Sequence, residues 1–316
     1  MSTPLNNLPQ LPTSHADVLL HESMAALEPL VRLLIAQGVT YPQVTLALKR
    51  VFFDAAHSEL ASRSAESPER ITDSAISLLS GIHRKDVRAL GDGSGDANHN
   101  RRASSFAAEV LARWSRDPAF RDDRGRPRAL PLRSRATHEL SFEHLTHSIS
   151  KDFHARSVLD ELQRLGLVDV DHGIVQLKPD ALAPRREFAT ALHQLATNVR
   201  DHLASGEANL RASLRGDKPP FMHDAVVAAG LSAESAIELQ QLARKLWNVM
   251  VRKIADTAVE RIDADESRPP AERAQRVRFG SFYFNETEAR VDEARRQTAQ
   301  RDVVSSDSER STAVSP

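Results

Sequence analysis

A cluster of basic side chains follows a glycine in the stretch ITDSAISLLSGIHRKDVRAL, residues 71–90. Arg84, Lys85 and Arg88 carry positive charge, and His83 adds an imidazole at the start of the cluster. Arginine can form two parallel hydrogen bonds to guanine, whereas lysine and further arginines contact phosphate oxygens. The residue types therefore favour binding to a nucleic acid over catalysis.

The same stretch contains the residues that a helix-turn-helix needs to hold such a cluster in place. Gly81 suits a sharp turn, and Ile76 would point inward from the helix before it. Three further apolar residues would anchor the turn and the second helix: Ile82, Val87 and Leu90. The helix at 83–90 is then predicted to enter the major groove of DNA. Ser80 is polar where an apolar residue would help, and the same geometry also occurs in proteins that bind no DNA.

The charge distribution agrees with a local binding surface. The whole chain has 42 Lys and Arg against 43 Asp and Glu, a net charge of −1. Residues 82–135 contain thirteen basic and seven acidic residues, a local excess of six positive charges. Arg101 and Arg102 lie in a linker rich in Gly, Asp and Asn, and we expect them to bind DNA phosphates as anchors on a flexible arm.

Residues 141–177 contain a second unit of helix, turn, helix, strand, turn and strand. The segments SFEHLTHSIS, HARSVLDELQRLGLV and DVDHGIVQL resemble the winged-helix fold of bacterial transcription regulators. Its second helix carries Asp160 and Glu161, and the wing adds Asp169 and Asp171. Because acidic groups repel phosphate, this unit is predicted to serve structure or protein interaction rather than direct DNA contact.

The chain as a whole resembles an uncharacterised bacterial family of unknown function. The segments LVRLLIAQGVTYPQVTLALKRVFFDAA and SLLSGIHRKDVRAL support the resemblance, which would extend over most of residues 20–285. The resemblance implies no activity. It implies that the helix-turn-helix elements belong to one architecture.

Other kinds of chemistry find little support. The chain has no cysteine, so it has neither disulfides nor thiolate ligands. It also lacks a Gly-rich phosphate loop, a G-x-S-x-G elbow and an H-E-x-x-H motif, so we expect no enzyme and no cofactor. His144 and His147 have the spacing of two metal ligands, but no third ligand accompanies them and no metal is predicted. The N-terminus lacks the features of a secretory signal, and no apolar run is long enough for a membrane span, so we expect a cytoplasmic protein.

The predicted fold class is mainly α: a helix-turn-helix, then a winged-helix unit with a small β-hairpin wing, then a helical C-terminal region. A helix from about 18 to 37 and another to about 61 open the chain, the second with an apolar face of Val44, Leu48, Val51, Phe52 and Ala55. RVRFGSFYF, near 276–284, is a strand candidate. The predicted domains are a disordered 1–17, a helix-turn-helix domain 18–92, a linker 93–102, a winged-helix-like domain 103–180, a helical domain 181–285 and a disordered tail 286–316.

These observations predict a DNA-binding protein, a regulator of transcription whose partner is double-stranded DNA. The long amphipathic helix 232–263 either closes its own domain or forms a homodimer, as palindromic operators favour. The main alternative is a protein–protein adaptor built on winged-helix scaffolds, without DNA binding. A small-molecule sensor with an effector pocket in the helical C-terminal region is a third interpretation.

Overall fold

The fold was analysed in a computed structural model, which describes residues 14–64, 71–93, 105–134, 140–178 and 186–287. The chain divides between residues 183 and 184 into two compact units, called unit 1 and unit 2.

Unit 1 begins with two long helices, α1 (His15–Ala36) and α2 (Tyr41–Ser64). Ser14 and Asp17 form a reciprocal capping box that starts α1 three residues before the predicted position 18. At the start of α2, the Gln43 side chain accepts a hydrogen bond of 2.7 Å from the backbone N–H of Thr40. The capping spacing in the sequence therefore identified the start of α2.

The predicted apolar face of α2 is wrong. Phe53 and Ala56 are the side chains that α2 buries, and Leu60 packs beside them. Leu48, Val51 and Phe52, which belong to the predicted face, are exposed. Two apolar stripes run along this helix, with Phe52 in one and Phe53 in the other, and helical periodicity alone cannot choose between them.

Two short helices complete the first half of unit 1. They are α3 (Asp73–Ser80) and α4 (Arg84–Gly91), and both pack against α2. Thr72 caps α3, because its side chain accepts a hydrogen bond from the N–H of Ala75. One small apolar core holds the three helices together, and it consists of Phe53, Ala56, Ile76, Ile82 and Val87.

The second half of unit 1 combines three helices with a small sheet. The helices are α5 (Phe106–Arg116), α6 (Phe142–His147) and α7 (Ala155–Arg164). The strands β1 (Leu130–Pro131), β2 (Val168–Asp171) and β3 (Ile174–Leu177) form an antiparallel sheet in the order β1-β3-β2. The turn between β2 and β3 holds His172 and Gly173, both at positive φ, as a two-residue type I′ hairpin turn requires.

A second core lies between these helices and the sheet. Trp114 and Phe142 are fully buried and meet edge to face, with ring centroids 5.8 Å apart. The indole N–H of Trp114 donates to the carbonyl of Arg128 at 2.9 Å, so the ring buries no unsatisfied polar group. Leu159 and Leu162 of α7 and Val175 of β3 close this core.

Unit 2 contains two long helices, α8 (Arg186–Leu214) and α9 (Ala233–Asp265). A short 3₁₀ turn, Pro270–Arg273, leads into residues 274–287, which we call the C-terminal strap. The strap is not a strand, so the strand predicted near 276–284 is wrong. Its contacts are made by side chains rather than by a backbone ladder: Arg276, Arg278 and Tyr283 hydrogen-bond to α8 or α9.

The described residues confirm a mainly helical fold with one small antiparallel sheet. Within them, no helix has both the length and the apolar composition needed to cross a bilayer.

Candidate nucleic-acid interface

The turn between α3 and α4 depends on Gly81 and on two serines. Gly81 adopts φ of 73°, a left-handed conformation that costs glycine little. The Ser80 hydroxyl donates to the carbonyl of Ile76 at 2.6 Å and accepts from the N–H of Ile82 at 3.2 Å. The Ser77 hydroxyl donates to the carbonyl of Ile82 at 2.7 Å. Ser80, which looked unfavourable in the sequence, therefore satisfies backbone groups of the turn.

The apolar residues under α4 lie where the sequence placed them. Ile76 is 5% exposed, Ile82 is 9% and Val87 is 1%, and Leu90 packs against the same core. Because α4 is fixed from below at its start and its middle, its opposite face has a defined orientation.

We call the four side chains His83, Arg84, Lys85 and Arg88 the basic ridge. All four are exposed. His83 is also the N-cap of α4, because its Nδ1 atom accepts a hydrogen bond of 3.2 Å from the N–H of Lys85.

The charges of the basic ridge differ in how they are compensated. Arg84 and Lys85 form no ion pair with any residue that the structure describes. Arg88 lies 3.4 Å from the carboxylate of Asp73 on α3, an exposed pair that provides little stability. Asp86, the acidic residue of this helix, forms a 2.9 Å ion pair with Lys49 of α2. The acidic side chain of α4 is thus paired with a lysine of α2.

The structure places the four ridge residues together on α4. The two other predicted DNA-contacting residues, Arg101 and Arg102, lie outside the described residues. The prediction that they bind phosphate stays a prediction.

Several of the arginines counted over residues 82–135 form hydrogen bonds within unit 1. Arg126 donates to Asp122, and its own backbone N–H does so as well, which lowers the pKa of the Asp122 carboxyl below its ordinary value. Arg121 donates to the carbonyl of Gly125 at 2.7 Å, and Arg128 to the carbonyl of Arg121. The loop 117–128 therefore uses three of its arginines to fix its own backbone, and the local excess of six positive charges is unchanged because Asp122 is already counted in it.

Arg164 has a structural role that the sequence did not reveal. Its guanidinium donates to the carbonyl of Ile35 at 2.9 Å, at the C-terminal end of α1. Glu161 holds the same guanidinium at 2.7 Å, and this hydrogen bond lowers the pKa of the Glu161 carboxyl. Leu165 lies against Gly38 beside this contact. The end of α7 is thus joined to the turn between α1 and α2. In the sequence, the three-residue spacing of Glu161 and Arg164 indicates the ion pair between them, and not the contact of Arg164 with α1.

No metal centre is evident in the described residues: they contain no cluster of three or more His, Asp or Glu side chains close enough to share an ion. His144 is exposed and packs beside Phe120 of the second core, with ring centroids 6.2 Å apart.

Fold and site together define a two-unit, mainly helical protein with an exposed basic helix packed on two other helices. Residues 18–291 match the family described as Family of unknown function (DUF6502), and the chain belongs to this family. Comparisons with curated proteins and with solved structures found no match. These comparisons provide no support for the resemblance to transcription regulators.

Proposed function

We propose that the chain binds double-stranded DNA through the basic ridge and regulates transcription in the cytoplasm. The observation that carries the proposal is the exposure of Arg84 and Lys85 and their lack of an ion pair with any described residue. Both lie exposed on the first turn of α4, and neither is neutralised by a described residue. Solvated cations on a rigid helix can neutralise phosphates and release their counterions.

The dimensions and polarity of α4 suit a groove-binding helix. An α-helix with its side chains is about 10–12 Å in diameter, which fits the major groove of B-DNA, about 12 Å wide, and the eight residues of α4 extend about 12 Å within it. The N-terminal turn of a helix also attracts anions, because its free N–H groups and the helix dipole point outward there. In this proposal Arg84 reads a base edge, and Lys85 and Arg88 contact phosphates.

The second half of unit 1 is proposed to be a winged-helix unit that supports the first half. Its order of α6, α7 and a two-stranded hairpin favours this interpretation. On α7, Arg156 is paired with Asp160 at 3.0 Å. On the hairpin, Asp169 and Asp171 are exposed. Acidic groups repel phosphate and paired charges attract it little, so we assign this unit a scaffolding role.

A homodimer through α9, the helix predicted at 232–263, completes the proposal. Two copies would present two basic ridges to a palindromic site, with half-sites about 34 Å apart, one turn of B-DNA. Its support is the row of exposed apolar side chains along α9, such as Leu242 and Leu246.

Fluorescence anisotropy with a labelled mixed-sequence duplex tests the proposal. The purified chain at micromolar concentration should raise the anisotropy at low salt, and the signal should weaken steeply at physiological salt. The absence of a salt-sensitive signal at low salt would rule out DNA binding.

The alternative function is a protein–protein adaptor built on the same scaffold. Exposed apolar side chains of α2 and α3 favour it: Phe52 is 56% exposed and Leu78 is 89%. Large exposed apolar side chains mark protein contacts more often than DNA contacts when they form a patch. The adaptor predicts no anisotropy change with DNA at any salt concentration, so the same experiment separates the two functions.

A further inference from the structure

Unit 2 has almost no core of its own. Among its described residues, Ala212 is the sole buried side chain, at 3% exposure. Both core clusters of the described chain consist of unit 1 residues. In contrast, α8 and α9 together leave sixteen large apolar side chains exposed.

On α8, the C-terminal strap contacts one face, and the opposite face is exposed. Asp201 accepts two hydrogen bonds from Arg276 of the C-terminal strap, at 2.9 and 3.0 Å, and Arg278 lies 2.6 Å from the same carboxylate. The helical repeat places a row of apolar residues on the other side of the helix. The bare row consists of Leu192, Leu195, Val199 and Leu203, which are 40–58% exposed.

The C-terminal strap also contacts one face of α9. The strap stacks Phe279 on Trp247, with ring centroids 5.8 Å apart, and the Tyr283 hydroxyl donates to the carbonyl of Ala236 at 2.7 Å. A neighbouring face stays bare. Its row consists of Leu239, Leu242, Leu246, Val249 and Met250, which are 39–63% exposed.

The two helices do not cover each other, because α8 and α9 do not pack side by side. The strap already holds the other face of each helix. Helices derive most of their stability from packing an apolar face, so two long helices with bare apolar rows need a further surface.

We propose that this surface is a second copy of the chain, which supplies the missing core of unit 2. Burying an aliphatic side chain removes about 60–120 Å² from water, so covering the nine half-exposed side chains of the two bare rows removes on the order of 400 Å² of apolar surface per chain. A stable interface buries about 800 Å² per partner, of which somewhat more than half is apolar, so the bare rows supply most of the apolar area that a dimer needs. Two-fold pairing lets identical rows cover each other, and no other component is needed to close the core.

This inference extends the α9 homodimer of the proposed function to α8 and makes the dimer a condition for the folding of unit 2. It is tested without DNA, so its failure and the failure of DNA binding are separate results. The test is sedimentation of the full-length chain, diluted from the high micromolar to the submicromolar range. We expect a species of twice the 34.9 kDa chain mass. A chain that sediments as a monomer throughout would overturn the proposal.

Paired substitutions locate the interface. Leu242→Glu with Leu246→Glu alters the bare row of α9, and Leu195→Glu with Leu203→Glu alters that of α8. Each pair should raise the dimer dissociation constant at least about tenfold, because it places charge in an apolar interface. The controls Gln241→Glu and Ala204→Glu add a carboxylate on other faces of the same helices and should leave the dimer unchanged.

Far-UV circular dichroism tests the proposal even if a variant does not fold, because it measures helix content. These leucines are exposed in the single chain, so their replacement lowers the helix content only if a second copy covers them. Loss of helix in the leucine variants, with full helix content in both controls, therefore supports the proposal. Dimers that persist in both leucine variants would overturn it.

Discussion

Four side chains define the candidate DNA surface, and they are not equivalent. Arg84 and Lys85 have no ion-pair partner among the described residues and can exchange their hydration for phosphate or a base edge. Arg88 must first leave Asp73, 3.4 Å away. His83 holds the helix start through its Nδ1 atom, so its role is to position the others. The free energy of DNA binding should therefore come mainly from the first turn of α4.

Neutralising Asp73 should strengthen DNA binding. Asp73→Asn frees Arg88 and removes a negative charge beside the groove, so we expect the dissociation constant to fall about threefold to tenfold. Anisotropy at fixed low salt measures the change. Asp123→Asn, which removes one carboxylate from an exposed loop, is the matched control and should have little effect. A Kd that does not change in Asp73→Asn would show that Arg88 contributes nothing to binding.

At the scale of elements, the glycine turn decides whether the ridge is held in place. Gly81→Ala should lower the free energy of unfolding by about 1 kcal/mol, because φ of 73° is strained for any residue with a Cβ atom. The surrounding space is open, so the cost is conformational and not steric. Urea denaturation followed by circular dichroism measures it.

Gly91→Ala is the control for that prediction. Gly91 is the last residue of α4, and an added Cβ would meet Phe53 at an ordinary contact distance of 3.9 Å. This substitution should leave stability unchanged or raise it slightly, since alanine favours a helix. Equal losses of unfolding free energy in Gly81→Ala and Gly91→Ala would mean that the positive φ of Gly81 does not cause the destabilisation.

The sequence predicted the elements of unit 1 well where local signals agree. Gly81 with its flanking apolar residues and the hairpin turn within DVDHGIVQL each combine a turn residue with a matching periodicity. All of these signals lie within a few residues of the element that they define. The capping box at Ser14 was missed because the residues before it read as a polar tail.

Predictions that depend on distant residues failed. The face of α2 is selected by Ile76, Ile82 and Val87, which lie at least twenty residues beyond Phe53 and Ala56 in the chain. The strap was taken for a strand because aromatic residues favour sheets, but its partners are helices and it has no strand to pair with among the described residues. Likewise, the contact of Arg164 with α1 joins residues too far apart for periodicity to relate.

At the scale of the whole molecule, the ion cluster at Asp201 should make the strap sensitive to acid. Hydrogen bonds from Arg276, together with the charges of Arg200 and Arg278, hold the pKa of Asp201 well below its ordinary value of 3.8. A lowered pKa means that the cluster stabilises unit 2 at neutral pH and that this contribution is lost as the pH falls below 3.8 towards the folded-state pKa.

Asp201→Asn should therefore release Arg276 and Arg278 already at neutral pH. The stacking of Phe279 on Trp247 reports on the strap, so we expect a changed tryptophan emission at pH 7 that resembles the wild type in acid. Asp224→Asn, another exposed carboxylate of unit 2, should retain the wild-type spectrum. Identical spectra for the two variants at neutral pH would show that Asp201 does not hold the strap.

The central claim, that the first turn of α4 binds DNA, is tested most directly by the salt dependence of affinity. Each phosphate contact contributes about −0.9 to the slope of log affinity against log salt. Arg84→Ala with Lys85→Ala should reduce the magnitude of the slope by about 1 per bound chain, because Lys85 is the phosphate contact of the two, and weaken binding at least tenfold at low salt. Arg116→Ala with Lys151→Ala removes the same charges elsewhere in unit 1 and should retain the wild-type slope. Equal slopes for the wild type and both double variants would contradict the claim.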